Sequence, residues 1–152
     1  MSTIRVAPGN PRDAQATALL RASHALMQAL FSEEDNHFLS IDDLCEPNVR
    51  FFVAKEENTS LGCVALAFKG DYAEIKSMFV HPDARGKGIA HKLMQAIEAE
   101  VRTHGISVLK LETGDSLHQA HSLYRAHGYV DCGPFGDYRE SPASLFMAKT
   151  LV

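Results

Sequence analysis

The spacing of hydrophobic residues in the first half of the chain changes from a helical period to an alternating one. From Asp13, a residue type that favours helix N-caps, apolar side chains recur every three or four positions as far as Leu30, which predicts an amphipathic helix. A short alternating run at residues 4–7 predicts a strand before this helix, and Ser40 is a candidate cap for a short second helix. Three strand-like runs follow, and their tight polar connections predict an antiparallel meander: residues 50–56, 61–69 and 72–80.

Helices and strands are predicted to alternate in the second half of the chain. Apolar residues at helical spacing begin at Ile89 and again at Leu117, and the two helices end near Gly105 and Gly128, which can adopt the left-handed cap conformation. Three more strands are predicted at residues 106–113, 129–132 and 144–151. This order of elements is typical of an α/β or α+β domain with a mixed sheet. We find no internal repeat or linker, and we expect a single domain over residues 1–152.

Composition and charge narrow the classes of function. A chain of 152 residues that is 45% hydrophobic and 22% charged has the composition of a globular domain. Its net charge of −4 argues against a nucleic-acid partner, because proteins that bind phosphate backbones are usually basic. The chain has neither a signal-peptide core nor an apolar run of about 18 residues, so we expect no membrane association. The cysteines Cys45, Cys63 and Cys132 form no CxxC pair, and we expect a reducing, cytoplasmic location.

The eight histidines give little support for a metal site. Most of them fall in different predicted elements. Only His118 and His121 have the spacing to share a helix face, and no cysteine or pair of carboxylates completes a set of ligands. We therefore expect no metal.

The stretch RGKGIA at residues 85–90 places two glycines and two cations between an apolar strand and an amphipathic helix. Backbone amides at the start of a helix have no partner inside it, and phosphate oxygens can bind there. Gly86 and Gly88 let the backbone approach such a ligand, and Arg85 and Lys87 add positive charge. A plain strand-to-helix turn has the same composition, so these residues alone leave both interpretations open. The stretch matches neither a Walker P-loop nor the GxGxxG pattern.

The segment VHPDARGKGIA, residues 80–90, resembles the acyl-CoA signature of the GNAT superfamily of N-acetyltransferases. Arg85, Gly88 and Ala90 occupy the three fixed positions of that signature. Residues 111–133 are similar to a later strand, helix and strand of the family, in which a tyrosine follows a leucine and a glycine–aromatic pair follows the helix. The order of elements also agrees, so the resemblance covers nearly the whole chain.

The resemblance implies a fold and a cofactor. The fold is an α/β (α+β) arrangement with a mixed, mostly antiparallel, splayed sheet flanked by helices. The cofactor is acetyl-CoA, which acts as the acyl donor and enters between the fourth and fifth strands. Its pantetheine arm pairs with the backbone of Met78, Phe79 and Val80. Its pyrophosphate rests on the amides of the glycine-rich turn: Arg85, Gly86, Lys87, Gly88, Ile89 and Ala90.

Acetyl transfer to an amine requires a base that deprotonates the amine and an acid that protonates the departing thiolate. The resemblance places Tyr124 at the position of that acid in many members, although a tyrosine packed on the core fits the sequence too. Glu74, in the middle of the fourth predicted strand, is the candidate base, with Glu112 or a water molecule as alternatives. Glu74 also fits as a solvated strand residue, and in that case the core is faced by Ala73, Ile75, Ser77 and Phe79.

One residue on the cofactor side departs from the pattern of the family. Leu117 stands where the family often has Asn or Gln that hydrogen-bonds the cofactor, so that contact is absent or comes from a neighbour such as Ser116.

The acceptor side corresponds to residues 32–38 and 133–146. In these segments Glu33, Glu34 and Asp35 can attract an amine, and Tyr138 and Arg139 can hold a carboxylate.

The function implied by the resemblance is an acetyl-CoA-dependent N-acetyltransferase. Its acceptor is the primary amine of a small molecule, an amino-acid-like compound or a peptide, and the amine attacks directly within a ternary complex. A non-catalytic acyl-CoA-binding sensor or interaction module is the alternative. The family also contains homodimers that pair through edge strands, so a homodimer is compatible with the resemblance.

Overall fold

The computed structural model describes residues 3–151 and has a seven-stranded sheet with four α-helices around it. The predicted elements are all present, with ends that differ by one or two residues. In chain order they are β1 (Ile4–Pro8), α1 (Ala14–Leu30), α2 (Ile41–Leu44), β2 (Val49–Glu56), β3 (Thr59–Phe68), β4 (Ala73–Val80), α3 (Ile89–Thr103), β5 (Val108–Gly114), α4 (His118–Ala126), β6 (Val130–Cys132) and β7 (Ser144–Thr150).

The sheet has the order β1-β2-β3-β4-β5-β7-β6, which confirms the predicted mixed, mostly antiparallel fold. Strands β2, β3 and β4 form the predicted meander. The one parallel pair is β4 with β5, and it extends over three positions, Ala73–Ile75 against Leu109–Leu111. Beyond Ile75 the two strands separate, so the sheet is splayed at the C-terminal half of β4.

Helices cover both faces of the sheet. Helices α3 and α4 pack on one face, where the main hydrophobic cluster includes Leu93, Ile97 and Leu109. Helices α1 and α2 pack on the other face, over a smaller cluster that includes Leu20 and Leu44. Both faces of the central strands are therefore buried, and a polar residue in the middle of β3 or β4 does not automatically reach solvent.

A β-bulge at Ser77 changes which way β4 faces. Ala65 pairs with Lys76 and Cys63 pairs with Phe79, so two residues of β4 oppose a single residue of β3. Ser77 has φ 56°, a left-handed conformation that is uncommon outside glycine. Ile75 consequently belongs to the main cluster, whereas Phe79 packs against the smaller one. The expectation that Ile75 and Phe79 face the same core is therefore wrong.

Local signals account for several ends of elements. The Ser40 side chain accepts a hydrogen bond from the Asp43 amide and completes a capping box with Asp43. Gly105 and Gly128 follow α3 and α4 with φ of 72° and 90°, as their predicted capping role requires. Within residues 3–151, no helix has the length and apolar character needed to cross a membrane.

Candidate active site

The glycine-rich turn after β4 leads directly into the N-terminus of α3. Gly86 and Gly88 have φ of 83° and 75°, and Gly88 is the N-cap residue. The first backbone bond of the helix runs from the Lys92 amide to the Gly88 carbonyl, with an N···O distance of 3.2 Å. The three amides between these residues precede that bond and are available to an anion. A side chain at either glycine would meet no atom within 4 Å, so backbone conformation is what requires glycine here.

A cleft of about 770 Å³ opens where β4 separates from β5, and we call it the outer cleft. Its floor is the end of β4 and the glycine-rich turn, and its walls are α1 and α4. Eight of the nine residues predicted to bind the cofactor line it: Met78, Phe79, Val80, Arg85, Gly86, Gly88, Ile89 and Ala90. The ninth, Lys87, is absent from this lining, and its Nζ lies 3.5 Å from Oε1 of Glu56.

The predicted departure at Leu117 is visible in the outer cleft. Leu117 lines the cleft from the residue that precedes α4, and Ser116 lies beside it on the same wall. An apolar side chain thus occupies the position at which the family often has an amide. The hydroxyl of Ser116 remains the neighbouring polar group in the cleft.

A smaller space of about 140 Å³ adjoins the outer cleft, and we call it the inner chamber. Met27, Met78 and Leu117 line both spaces. Tyr124 on α4 and Glu112 on β5 both line the inner chamber. The structure therefore brings the predicted acid together with the second of the two predicted carboxylates.

Tyr124 is a buried residue of the inner chamber, with 6% of its surface exposed. Burial, together with the negative charge of Glu112, raises the pKa of Tyr124 well above the ordinary value for tyrosine. The phenol is consequently protonated at neutral pH. It is available to donate a hydrogen bond or a proton inside the chamber.

Glu112 is held by the last strand of the sheet. The Ser144 hydroxyl on β7 donates a hydrogen bond of 2.8 Å to Oε2 of Glu112. Burial raises the pKa of Glu112 above its usual value of 4.5, and the Ser144 hydrogen bond opposes part of this rise. A carboxylate with a raised pKa is a stronger base, which suits the removal of a proton from an amine.

A third space of about 630 Å³ lies beyond the inner chamber, and we call it the polar cleft. His37, Phe38 and Lys76 line both spaces, so the two adjoin. Glu74 lines the polar cleft and not the inner chamber. Its residue exposure is 5%, so the alternative interpretation of Glu74 as a solvated strand residue is wrong.

Glu74 takes part in a compact polar cluster. The Tyr138 hydroxyl donates a 2.6 Å hydrogen bond to Oε2 of Glu74, and Nζ of Lys76 lies 3.5 Å from the same oxygen. Lys76 also donates to the Tyr138 hydroxyl at 2.8 Å and to the His37 carbonyl at 2.7 Å. Burial and the Glu74 carboxylate raise the pKa of Tyr138. One oxygen of Glu74 therefore already has two partners, which makes Glu74 less available as a base than Glu112.

The polar cleft also collects most of the residues predicted on the acceptor side. Glu34, Asp35, Tyr138 and Arg139 line it, and Glu33 does not. The sequence analysis missed Lys76, although its spacing of two from Glu74 on a strand was a signal that both side chains share one face. His37 contributes to the cluster through its backbone carbonyl, for which the sequence contains no signal.

No group of three or more His, Cys, Asp and Glu side chains suited to a metal ion occurs within residues 3–151. The two histidines with helical spacing have another arrangement. The His118 and His121 rings meet edge to face at 5.6 Å, and Nε2 of His121 lies 2.7 Å from the Gly114 carbonyl oxygen.

Comparison with known proteins agrees with this geometry. The model of the acetyltransferase (GNAT) family matches residues 17–129. An IAA acetyltransferase from Azospirillum brasilense is 40% identical over 153 residues, which cover 99% of this chain and all of the relative.

Two solved structures show the same fold. A Klebsiella pneumoniae protein assigned as an acyl-CoA N-acyltransferase superposes with a TM-score of 0.82 at 30% identity, covering 100% of this chain and 99% of its own. The PaiA N-acetyltransferase of Thermoplasma acidophilum, solved in complex with coenzyme A, has a TM-score of 0.75 at 17% identity, covering 97% and 99% of the two chains. The family model thus matches most of this chain, and a relative of 40% identity covers 99% of it. The chain belongs to the acetyltransferase (GNAT) family and is an N-acetyltransferase.

Proposed function

We propose that the protein transfers the acetyl group of acetyl-CoA directly to the primary amine of a small molecule, an amino-acid-like compound or a peptide. The observation that carries this proposal is the arrangement of three adjoining spaces, with the smallest in the centre. The outer cleft and the polar cleft meet at the inner chamber, and Tyr124 and Glu112 both line that chamber. Two substrates that enter from opposite sides meet beside a proton donor and a carboxylate.

The outer cleft fits acetyl-CoA in shape and chemistry. The amides at the start of α3 and the side chain of Arg85 suit a pyrophosphate. Strand β4 pairs with β5 only as far as Ile75, so the edge of Met78–Val80 that faces the opening suits an extended pantetheine arm. The Thermoplasma structure that shares this fold holds coenzyme A. When bound, acetyl-CoA supplies a thioester, whose acyl carbon an amine can attack.

Two residues of the inner chamber divide the proton transfers between them. Glu112, with its raised pKa, accepts a proton from the attacking amine, directly or through water. Tyr124, which is protonated at neutral pH, donates to the departing sulfur. We assign the base to Glu112 and not to Glu74, because Glu74 lies outside the chamber and is bonded to Tyr138.

The polar cleft is the route of the acceptor. Its lining contains the acidic side chains of Glu34, Asp35, Asp137 and Glu140, which attract a protonated amine. Glu74, the fifth carboxylate of the lining, is paired with Lys76. Arg139 lies in the same lining and suits the carboxylate of an amino-acid-like acceptor.

The decisive experiment is a panel of amine acceptors assayed with acetyl-CoA, with the release of free thiol as the readout. Tyr124→Phe is expected to lower kcat by about 100-fold, the lower end of what a positioned acid or base contributes. The affinity for acetyl-CoA, measured by calorimetry, is expected to change by less than about threefold. Wild-type protein that binds acetyl-CoA and releases no thiol with any amine would instead identify a sensor.

A further inference from the structure

We propose that Phe31 sets the length of the acyl group, and that its ring restricts the inner chamber to acetyl and excludes longer chains. The proposal rests on the proposed function, because it assumes that the acyl group of the donor lies in the inner chamber. Phe31 lines this chamber and neither of the two clefts that flank it.

The backbone of Phe31 is fixed at the end of α1. Its amide donates a 2.9 Å hydrogen bond to the Met27 carbonyl and closes the helix. Its own carbonyl accepts a hydrogen bond of 3.2 Å from Nδ2 of Asn36. Because both backbone groups are engaged, the point at which the side chain leaves the backbone is fixed relative to the chamber.

The ring of Phe31 lies directly over the backbone of Gly114. A methyl group at Gly114 would overlap the ring atoms Cζ and Cε2. Gly114 is the last residue of β5, and its φ lies outside the left-handed region. The absence of a side chain at Gly114 is therefore explained by the ring above it. The contact bridges α1 and β5 beside the opening between β4 and β5.

The size of the inner chamber sets the limit on the acyl group. Its volume of about 140 Å³ is close to the roughly 150 Å³ of an apolar cavity that binds one benzene molecule, with its six carbon atoms. An acetyl group has three heavy atoms, and the amine nitrogen with its first carbon adds two. Butyryl and hexanoyl groups add two and four further carbons and exceed this space. The adjoining polar cleft is the proposed route of the acceptor and the outer cleft holds the rest of the donor, so under this proposal the longer chains compete with the Phe31 ring.

The energetic consequence follows from the cost of excess methylene groups. A difference of one methylene group between two ligands of a hydrophobic pocket changes the preference for one over the other by roughly 10- to 200-fold. A longer acyl chain must displace the ring from Gly114 or hold the acyl carbon away from Tyr124. We therefore expect the unmodified protein to bind acetyl-CoA at least about tenfold more tightly than hexanoyl-CoA.

The test compares three probes, acetyl-CoA, butyryl-CoA and hexanoyl-CoA, by calorimetry in the absence of an acceptor. Phe31→Ala is expected to reduce the preference for acetyl-CoA over hexanoyl-CoA by about tenfold or more, and Phe31→Leu by a smaller factor. The matched control is Phe68→Ala, which truncates a phenylalanine that packs on the main cluster and against His104. This control is expected to lose stability and keep the wild-type preference.

The outcomes separate this proposal from the proposed function. A preference that stays within twofold of wild type in Phe31→Ala would overturn the proposal, as would unmodified protein that binds all three probes equally. Unmodified protein that does not bind acetyl-CoA would overturn the proposed function. If Phe31→Ala does not fold, Phe31→Leu decides by the same criterion. Failure of the proposed function shows differently, as acetyl-CoA binding with no release of thiol on any amine. Coenzyme A itself serves as a probe of the intact outer cleft in every variant.

Discussion

Removal of the Tyr138 hydroxyl tests whether the polar cluster holds the loop between β6 and β7 in place. Tyr138→Phe deletes a single oxygen and keeps the ring, which packs against Phe135 and Phe146 at centroid distances of 5.1 and 5.5 Å. The lost oxygen donates to Glu74 at 2.6 Å and accepts from Lys76 at 2.8 Å. The side chains of both partners are less than 10% exposed, at 6% and 9%.

The expected loss of stability follows from these contacts. A hydrogen bond to a charged group contributes about 1.5–3 kcal/mol. Lys76 and Glu74 are already 3.5 Å apart and can close on each other, which returns part of the loss. We expect the free energy of unfolding to fall by about 2 kcal/mol, and the Tm to fall by about 4–8 °C for a chain of this size.

The assay is equilibrium denaturation in urea together with a thermal scan at neutral pH. Tyr72→Phe is the matched control, because the Tyr72 ring belongs to the same aromatic group, at 5.6 Å from Phe135, and its hydroxyl has no part in the Glu74–Lys76 pair. A fall in Tm of less than 1 °C for Tyr138→Phe, or one equal to that of the control, would refute the stabilising role of the cluster.

Three further predictions concern the turn, the base and the Phe31 contact. Gly88→Val places a branched side chain at φ 75°, at a strain of about 1–3 kcal/mol. It should weaken acetyl-CoA binding in calorimetry more than Lys87→Ala does, since Lys87 reaches Glu56. The reverse ranking would contradict binding of the pyrophosphate by backbone amides. Glu112, the base of our proposal, has a raised pKa and is protonated as pH falls, so kcat/KM should decline through a midpoint above 4.5. Glu112→Gln should remove this limb of the pH profile. Gly114→Ala should destabilise the wild type and be nearly neutral in a Phe31→Ala background; additive changes in unfolding free energy would show that the ring does not lie on Gly114.

The sequence predicted those features that depend on local conformation. Gly86 and Gly88 were predicted as a turn before a helix, and their positive φ angles show why glycine is needed there. Ser40 was predicted as a cap from its residue type and position, and it forms a capping box. The positions of the strands along the chain were likewise predicted from alternation and turn residues.

Long-range packing determined the features that the sequence did not predict. The bulge at Ser77 has no local signal, because a serine in a strand is unremarkable by residue type, yet it reverses the side on which Phe79 lies. Glu74 has the spacing of a solvated strand residue, but Tyr138, which is distant in sequence, bonds to its carboxylate, and the residue is only 5% exposed. Phe31 and Gly114 are far apart in the chain, and only the fold shows that one excludes a side chain from the other.

The three-position pairing of β4 with β5 also has a thermodynamic meaning. A ligand that filled the opening would supply contacts between β4 and β5 that the sheet lacks there. Ligand binding would then be coupled to the stability of the sheet. A ligand present at 100 times its Kd raises the free energy of unfolding by about 2.7 kcal/mol.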